Sequence, residues 1–158
     1  MKSNLNIIKE TFSKTIFLKA TLLKEVNLSK REISRIKESI TDEIRKYTDL
    51  INPLVSRMAL ARAKEKGIEL EKIGWHDQTK YDKKREVFHL EHFYTVKSIR
   101  DLCINANTTQ EVDIILTKNA KTIWILKEED NRLTKLGYRS ERDDPYKAYE
   151  EAGIEIIE

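Results

Sequence analysis

Three side chains within four positions, His89, Glu91 and His92, carry most of the chemistry open to this chain, in the stretch Phe88-His89-Leu90-Glu91-His92. The sequence has three histidines in all, the other being His76. An imidazole titrates near neutral pH, and a carboxylate beside it can hold a hard cation or orient the ring. That combination suits metal-assisted hydrolysis. It also suits an ordinary strand end, in which Phe88 and Leu90 face the core and His89 and Glu91 form an exposed pair. A third arrangement would gather His89 and Glu91 with His76 or Asp77 around a metal ion, although no recognised zinc spacing is present.

The elements that must position these residues follow from periodicity. Apolar residues from Leu5 to Leu23 recur close to helical spacing and predict one helix over 5–26. Ser29 and Glu32 form a Ser-x-x-Glu capping box before a stripe of Ile33, Ile36, Ile40, Ile44, Tyr47 and Ile51, the clearest helix in the chain. Asn52-Pro53 interrupts it, and a third helix is predicted from Pro53 to Gly67. Arg57, Arg62, Lys64 and Lys66 give that helix a basic side, either a solvated face or a phosphate contact. Residues 68–86 show no clean period. Residues 86–96 have the aromatic and β-branched content of a short strand. Two short helices follow, then the strand Thr122–Leu126, then a helix opened by acidic residues and stopped at Gly137. A last helix begins at Pro145 and stops at Gly153, before an edge strand in Ile154–Ile157. The expected fold class is α+β, mainly α. A helical region over 1–67 precedes a strand–helices–strand–helix region over 68–158, the two packed as one compact unit.

Composition narrows the function classes. Gly (4) and Pro (2) are scarce, which argues against all-β designs with many turns. A net charge of +3 makes a weak global field, so local clusters must carry any case for a polyanion partner. The single cysteine, Cys103, rules out an internal disulfide and an all-cysteine zinc site, and suits a reducing, cytoplasmic setting. Its helical segment suggests a buried apolar role. No apolar run is long enough for a membrane span, and the charged start does not read as a signal peptide. Four unclustered glycines argue against a phosphate-binding P-loop.

An acid–histidine pair closing one strand, and a second strand leading into a helix with an asparagine, resembles the His-Me finger, or HNH, endonucleases. Glu91-His92 supplies the pair, and Asn131 stands five residues after Leu126. The resemblance covers roughly residues 75–140. It implies a ββα-metal finger with a helical insertion between its strands. It implies His92 as general base and Glu91 and Asn131 as ligands of a divalent ion, Mg2+ or Mn2+, with Asp130 an adjacent candidate ligand. His89 would contact substrate or support the site. The chain differs from the family pattern at Thr95, where proline is common, and it lacks the family's zinc-binding cysteines. Lys83, Lys84 and Arg85 before the first strand, and Arg139 after the helix, are candidate phosphate contacts. Arg142 would grip phosphate or pair with Asp143 or Asp144. Trp75, His76 and Tyr81 would stack on bases or pack against the strand, and Trp124 belongs in the core.

These residues lead to a metal-dependent endonuclease acting on DNA, with RNA the other candidate substrate and a homodimer the useful assembly for cutting duplexes. The principal alternative is a non-catalytic, α-rich nucleic-acid-binding or regulatory protein using the basic segments at 57–66 and 80–85. A protein–protein interaction module built on the helical half is the third.

Overall fold

A computed structural model describes residues 3–157. The fold is α+β and mainly helical, with one small four-stranded sheet. The chain divides into two compact units, each discontinuous in sequence.

One unit is entirely helical. It joins α1 (Asn4–Glu25) and α2 (Lys30–Thr48) to α5 (Val96–Asn105) and α6 (Thr109–Asn119). The capping box is present as expected. The Ser29 backbone N–H donates to the Glu32 carboxylate at 2.7 Å, and the Glu32 N–H to the Ser29 hydroxyl at 3.3 Å. Ile16, Ile40, Ile44, Ile99, Cys103, Val112 and Leu116 are fully buried. Burial pushes the Cys103 thiol up to about 12, so it stays a protonated core residue. Ser13 donates to Asp113 and Lys19 pairs with Glu43, tying α1 to α6 and to α2.

The other unit carries the sheet. Its strands are β1 (Leu54–Ser56), β2 (Phe88–His92), β3 (Thr122–Leu126) and β4 (Ile156–Ile157), in the order β2-β3-β1-β4. β1 runs parallel to β3, while β2–β3 and β1–β4 are antiparallel. β2 is therefore an edge strand. Five buried residues in a row make β3 the centre, as its unbroken apolar run requires of a strand covered on both faces. On one face Phe88, Trp124 and Leu126 pack with Ala59 and Ala63 of α3 (Arg57–Glu65) and with Ile68, Leu70 and Ile73. The Trp124 indole N–H donates to the Ile73 carbonyl at 3.0 Å. On the other face Ile123 and Ile125 pack with Leu133 of α7 (Lys127–Lys135) and with Ala148 and Tyr149 of α8 (Pro145–Glu151).

Two expectations are corrected. Pro53 does not start a helix: residues 54–56 form the short strand β1, and Ser56 caps α3, accepting from the Ala59 N–H at 3.1 Å. The division of the chain does not fall at residue 67. α3 belongs with the sheet, and the two helices between β2 and β3 belong with α1 and α2.

Candidate functional site

The pleat of β2 sorts its side chains. Phe88 is in the core with Trp124, and Leu90 packs against the same cluster. His89 and Glu91 project from the opposite face, toward α7 and α8. His92, one residue beyond Glu91, belongs to the face of Phe88 and Leu90, so Glu91 and His92 point apart.

α7 follows β3 without a loop, and its first residue is fastened to the residue just before β2, since the Lys127 N–H donates to the Val87 carbonyl at 3.0 Å. Its first turn carries Glu128, Glu129 and Asp130, placing acids where the helix dipole favours them. Glu129 is fully buried. Its carboxylate accepts from the Leu126 N–H at 2.8 Å and the Ser56 hydroxyl at 2.6 Å, which locks α7 to the ends of β3 and β1. The next residue, Asp130, is half-buried and faces β2, with its Oδ1 at 3.7 Å from His89 Nε2. Lys127 Nζ lies 3.3 Å from His89 Nδ1. An ammonium can only donate, so Nδ1 accepts and the ring proton of neutral His89 sits on Nε2, toward Asp130.

His89, Glu91 and Asp130 bring donor atoms to within 4.8 Å of one another. Opposite ligands of a Mg2+-like ion stand about 4.2 Å apart, so a small closure of these side chains would fit them around one cation. The two carboxylates match a hard divalent ion such as Mg2+ or Mn2+, whereas an imidazole nitrogen suits Zn2+ and the later transition metals better. Burial lowers the His89 pKa below its ordinary value, against the opposing pull of Asp130 and Glu91. The ring is thus held in the neutral form that a base or ligand needs.

Glu91 already has protein partners. Arg142 Nη2 lies 3.0 Å from its Oε2, and the Tyr149 hydroxyl donates to Oε1 in a short hydrogen bond. Arg142 is 6% exposed and also donates to the carbonyls of Tyr138, His92 and Phe93. Buried in this way, it pairs with Glu91 and not with Asp143 or Asp144. Burial, with the Glu91 charge beside it, raises the Tyr149 pKa, so the phenol remains a donor.

The expected site residues therefore divide. Glu91 and Asp130 come together, and the histidine beside them is His89, expected only as a supporting residue. His92 lies on the other face, and Asn131, the next residue of α7, is exposed. Lys83, Lys84 and Arg139 have substantial exposure, while Arg85 is half-buried. Arg142 and Tyr149 are the partners that sequence reasoning missed. They lie 51 and 58 residues from Glu91, with no local pattern linking them to it. No helix among the described residues is long and apolar enough to cross a membrane. No protein-family model, curated protein or solved structure matches this chain.

Proposed function

We propose that the chain is a metal-dependent nuclease whose site is the His89–Glu91–Asp130 cluster, built on two antiparallel strands and the helix that follows them. The convergence of those three side chains carries the reading. A divalent ion held by Glu91 and Asp130 would supply charge stabilisation to the leaving oxygen of a phosphodiester. His89 is the proton acceptor in place of His92. Asp130 faces its Nε2–H and stabilises the imidazolium that forms, and Nδ1 receives the proton from water. Lys127, now on Nδ1, moves to the substrate phosphate and uncovers that lone pair. Arg142 and Tyr149 fix the Glu91 carboxylate.

The test is cleavage of plasmid and oligonucleotide DNA by purified protein in Mg2+ or Mn2+, with chelator as the blank. Wild type cuts, and His89→Ala falls by about 10²–10⁴-fold. His92→Ala keeps most of the activity. Wild type that leaves DNA intact in both metals, or a His89→Ala variant as fast as wild type, defeats the proposal.

One observation favours a second reading. Both Glu91 oxygens are engaged by Arg142 and Tyr149, and Lys127 occupies His89, so the cluster is closed without any added ion. On that reading the cluster is a structural network, and the chain binds nucleic acid without cutting it.

A further inference from the structure

The segment before β2 is built more rigidly than a solvated charge run needs to be. Asp82 is 5% exposed, and its carboxylate accepts from the backbone N–H groups of Glu86, Val87 and Phe88 at 2.9–3.2 Å and from the Gln78 amide at 3.1 Å. Gln78, buried at the start of the short helix α4 (Gln78–Tyr81), also donates to the Phe88 carbonyl at 2.7 Å. Wrapped around that carboxylate, Lys84 and Arg85 adopt left-handed backbone angles, φ 59° and 55°. Side-chain-bearing residues rarely hold that conformation unless their surroundings enforce it. The result is a fixed turn that displays Lys83 and Lys84 to solvent.

Arg85, the third cation, folds back onto Trp75. Its guanidinium carbon lies 3.4 Å from the indole centroid, and one of its nitrogens donates to the Trp75 carbonyl at 3.3 Å. Trp75 is nonetheless 46% exposed, and Tyr81 in the same segment is 53% exposed. A large aromatic ring left open beside three consecutive cations has the makeup of a stacking platform with a phosphate track.

We infer that Trp75 and the Lys83-Lys84-Arg85 turn form a binding site for single-stranded nucleic acid. An unpaired base stacks on the open part of the Trp75 indole. Lys83 and Lys84 meet the backbone phosphates on either side, and Arg85 holds the indole in place while offering its remaining N–H donors. A duplex keeps its bases stacked inside and offers none to Trp75, so unpaired strands are preferred. The turn ends three residues before Phe88 and four before His89, so a strand gripped there lies next in sequence to the proposed cleavage site. In naming the substrate form this inference rests on the nuclease reading, yet it stands or falls on binding alone.

The experiment is run in chelator, where metal-dependent cleavage is silent. A twelve-nucleotide oligothymidylate is titrated into the full chain at low salt, with oligouridylate and a duplex of the same length as the other arms. Intrinsic fluorescence suits the question because Trp124 is fully buried and Trp75 is not. Both single strands should quench the Trp75 emission, and the duplex should bind more weakly. Read by the anisotropy of a dye-labelled oligothymidylate, because these variants lack the Trp75 emission, Trp75→Leu should bind between about fivefold and a hundredfold more weakly, with Trp75→Phe close to wild type. Lys83→Gln with Lys84→Gln should flatten the plot of log affinity against log salt by about 1.4, at about 0.7 for each phosphate no longer neutralised. No binding of single strands, equal affinity for the duplex, or unchanged affinity in Trp75→Leu would each overturn the site. Cleavage that persists without this binding would leave the nuclease reading standing and remove only the grip.

Discussion

His89 is pulled two ways, by burial toward the neutral ring and by Asp130 and Glu91 toward the charged one, and burial prevails. Its folded pKa therefore lies below the ordinary 6.5. Below that ordinary value the unfolded chain takes up a proton that the folded ring resists, so stability is complete above about pH 6.5 and declines as pH falls through the folded value. Urea midpoints measured from pH 7.5 down to pH 5 should show this decline in wild type and a shallower one in His89→Gln. Equal slopes would place the acid sensitivity elsewhere. Asp82 makes a second residue-scale prediction. Removing its carboxylate in Asp82→Ala strands several backbone donors and relaxes the left-handed turn, which should cost about 2–3 kcal/mol by denaturant titration. At this scale the sequence was half legible. Glu91 and Asp130 were reached through the nuclease resemblance, Asp130 only as the candidate ligand adjacent to Asn131. Strand alternation already puts His89, and not His92, on the face of Glu91; the resemblance to an adjacent acid–histidine pair pointed to His92 instead.

Among elements, the junction of β1, β3 and α7 matters most, because it aims Asp130 at β2. Glu129 holds that junction from a fully buried position through Leu126 and Ser56. Glu129→Ala should lower stability by about 3 kcal/mol, leaving the Ser56 hydroxyl and the Leu126 N–H short of a partner. It should also speed hydrogen exchange at the first amides of α7 more than in the middle of α2. Uniform acceleration would show that Glu129 supports the fold generally and not this junction. Strong local signals gave most of the elements: the capping box of α2, the apolar run of β3 and the glycines after α3, α7 and α8. β1 was hidden because three residues are too few to show a period, and Pro53 before them looked like a helix start. The cue that was available is Val55 followed by Ser56, a β-branched residue and then a good N-cap.

For the whole molecule, chain order and spatial grouping disagree. α5 and α6 lie between two adjacent strands of the sheet yet share a core with α1 and α2, through Ile16, Ile40, Ile44, Ile99, Val112 and Leu116. A chain started at Ile51 should therefore leave the apolar sides of α5 and α6 bare. It should bind a hydrophobic dye strongly where the full chain does not, and a fragment that stays dye-free would contradict the grouping. This arrangement was not legible because periodicity locates helices without saying which others they pack against. The central claim concerns the sheet-bearing unit alone: Glu91 and Asp130, beside His89, hold one divalent ion. Calorimetric titration of Mn2+ into the metal-free full chain near pH 7.5 tests it most directly. The account predicts one site per chain that is lost or weakened at least about tenfold in Asp130→Asn and kept in His92→Ala. No saturable Mn2+ binding by wild type, or equal binding by Asp130→Asn, would contradict it.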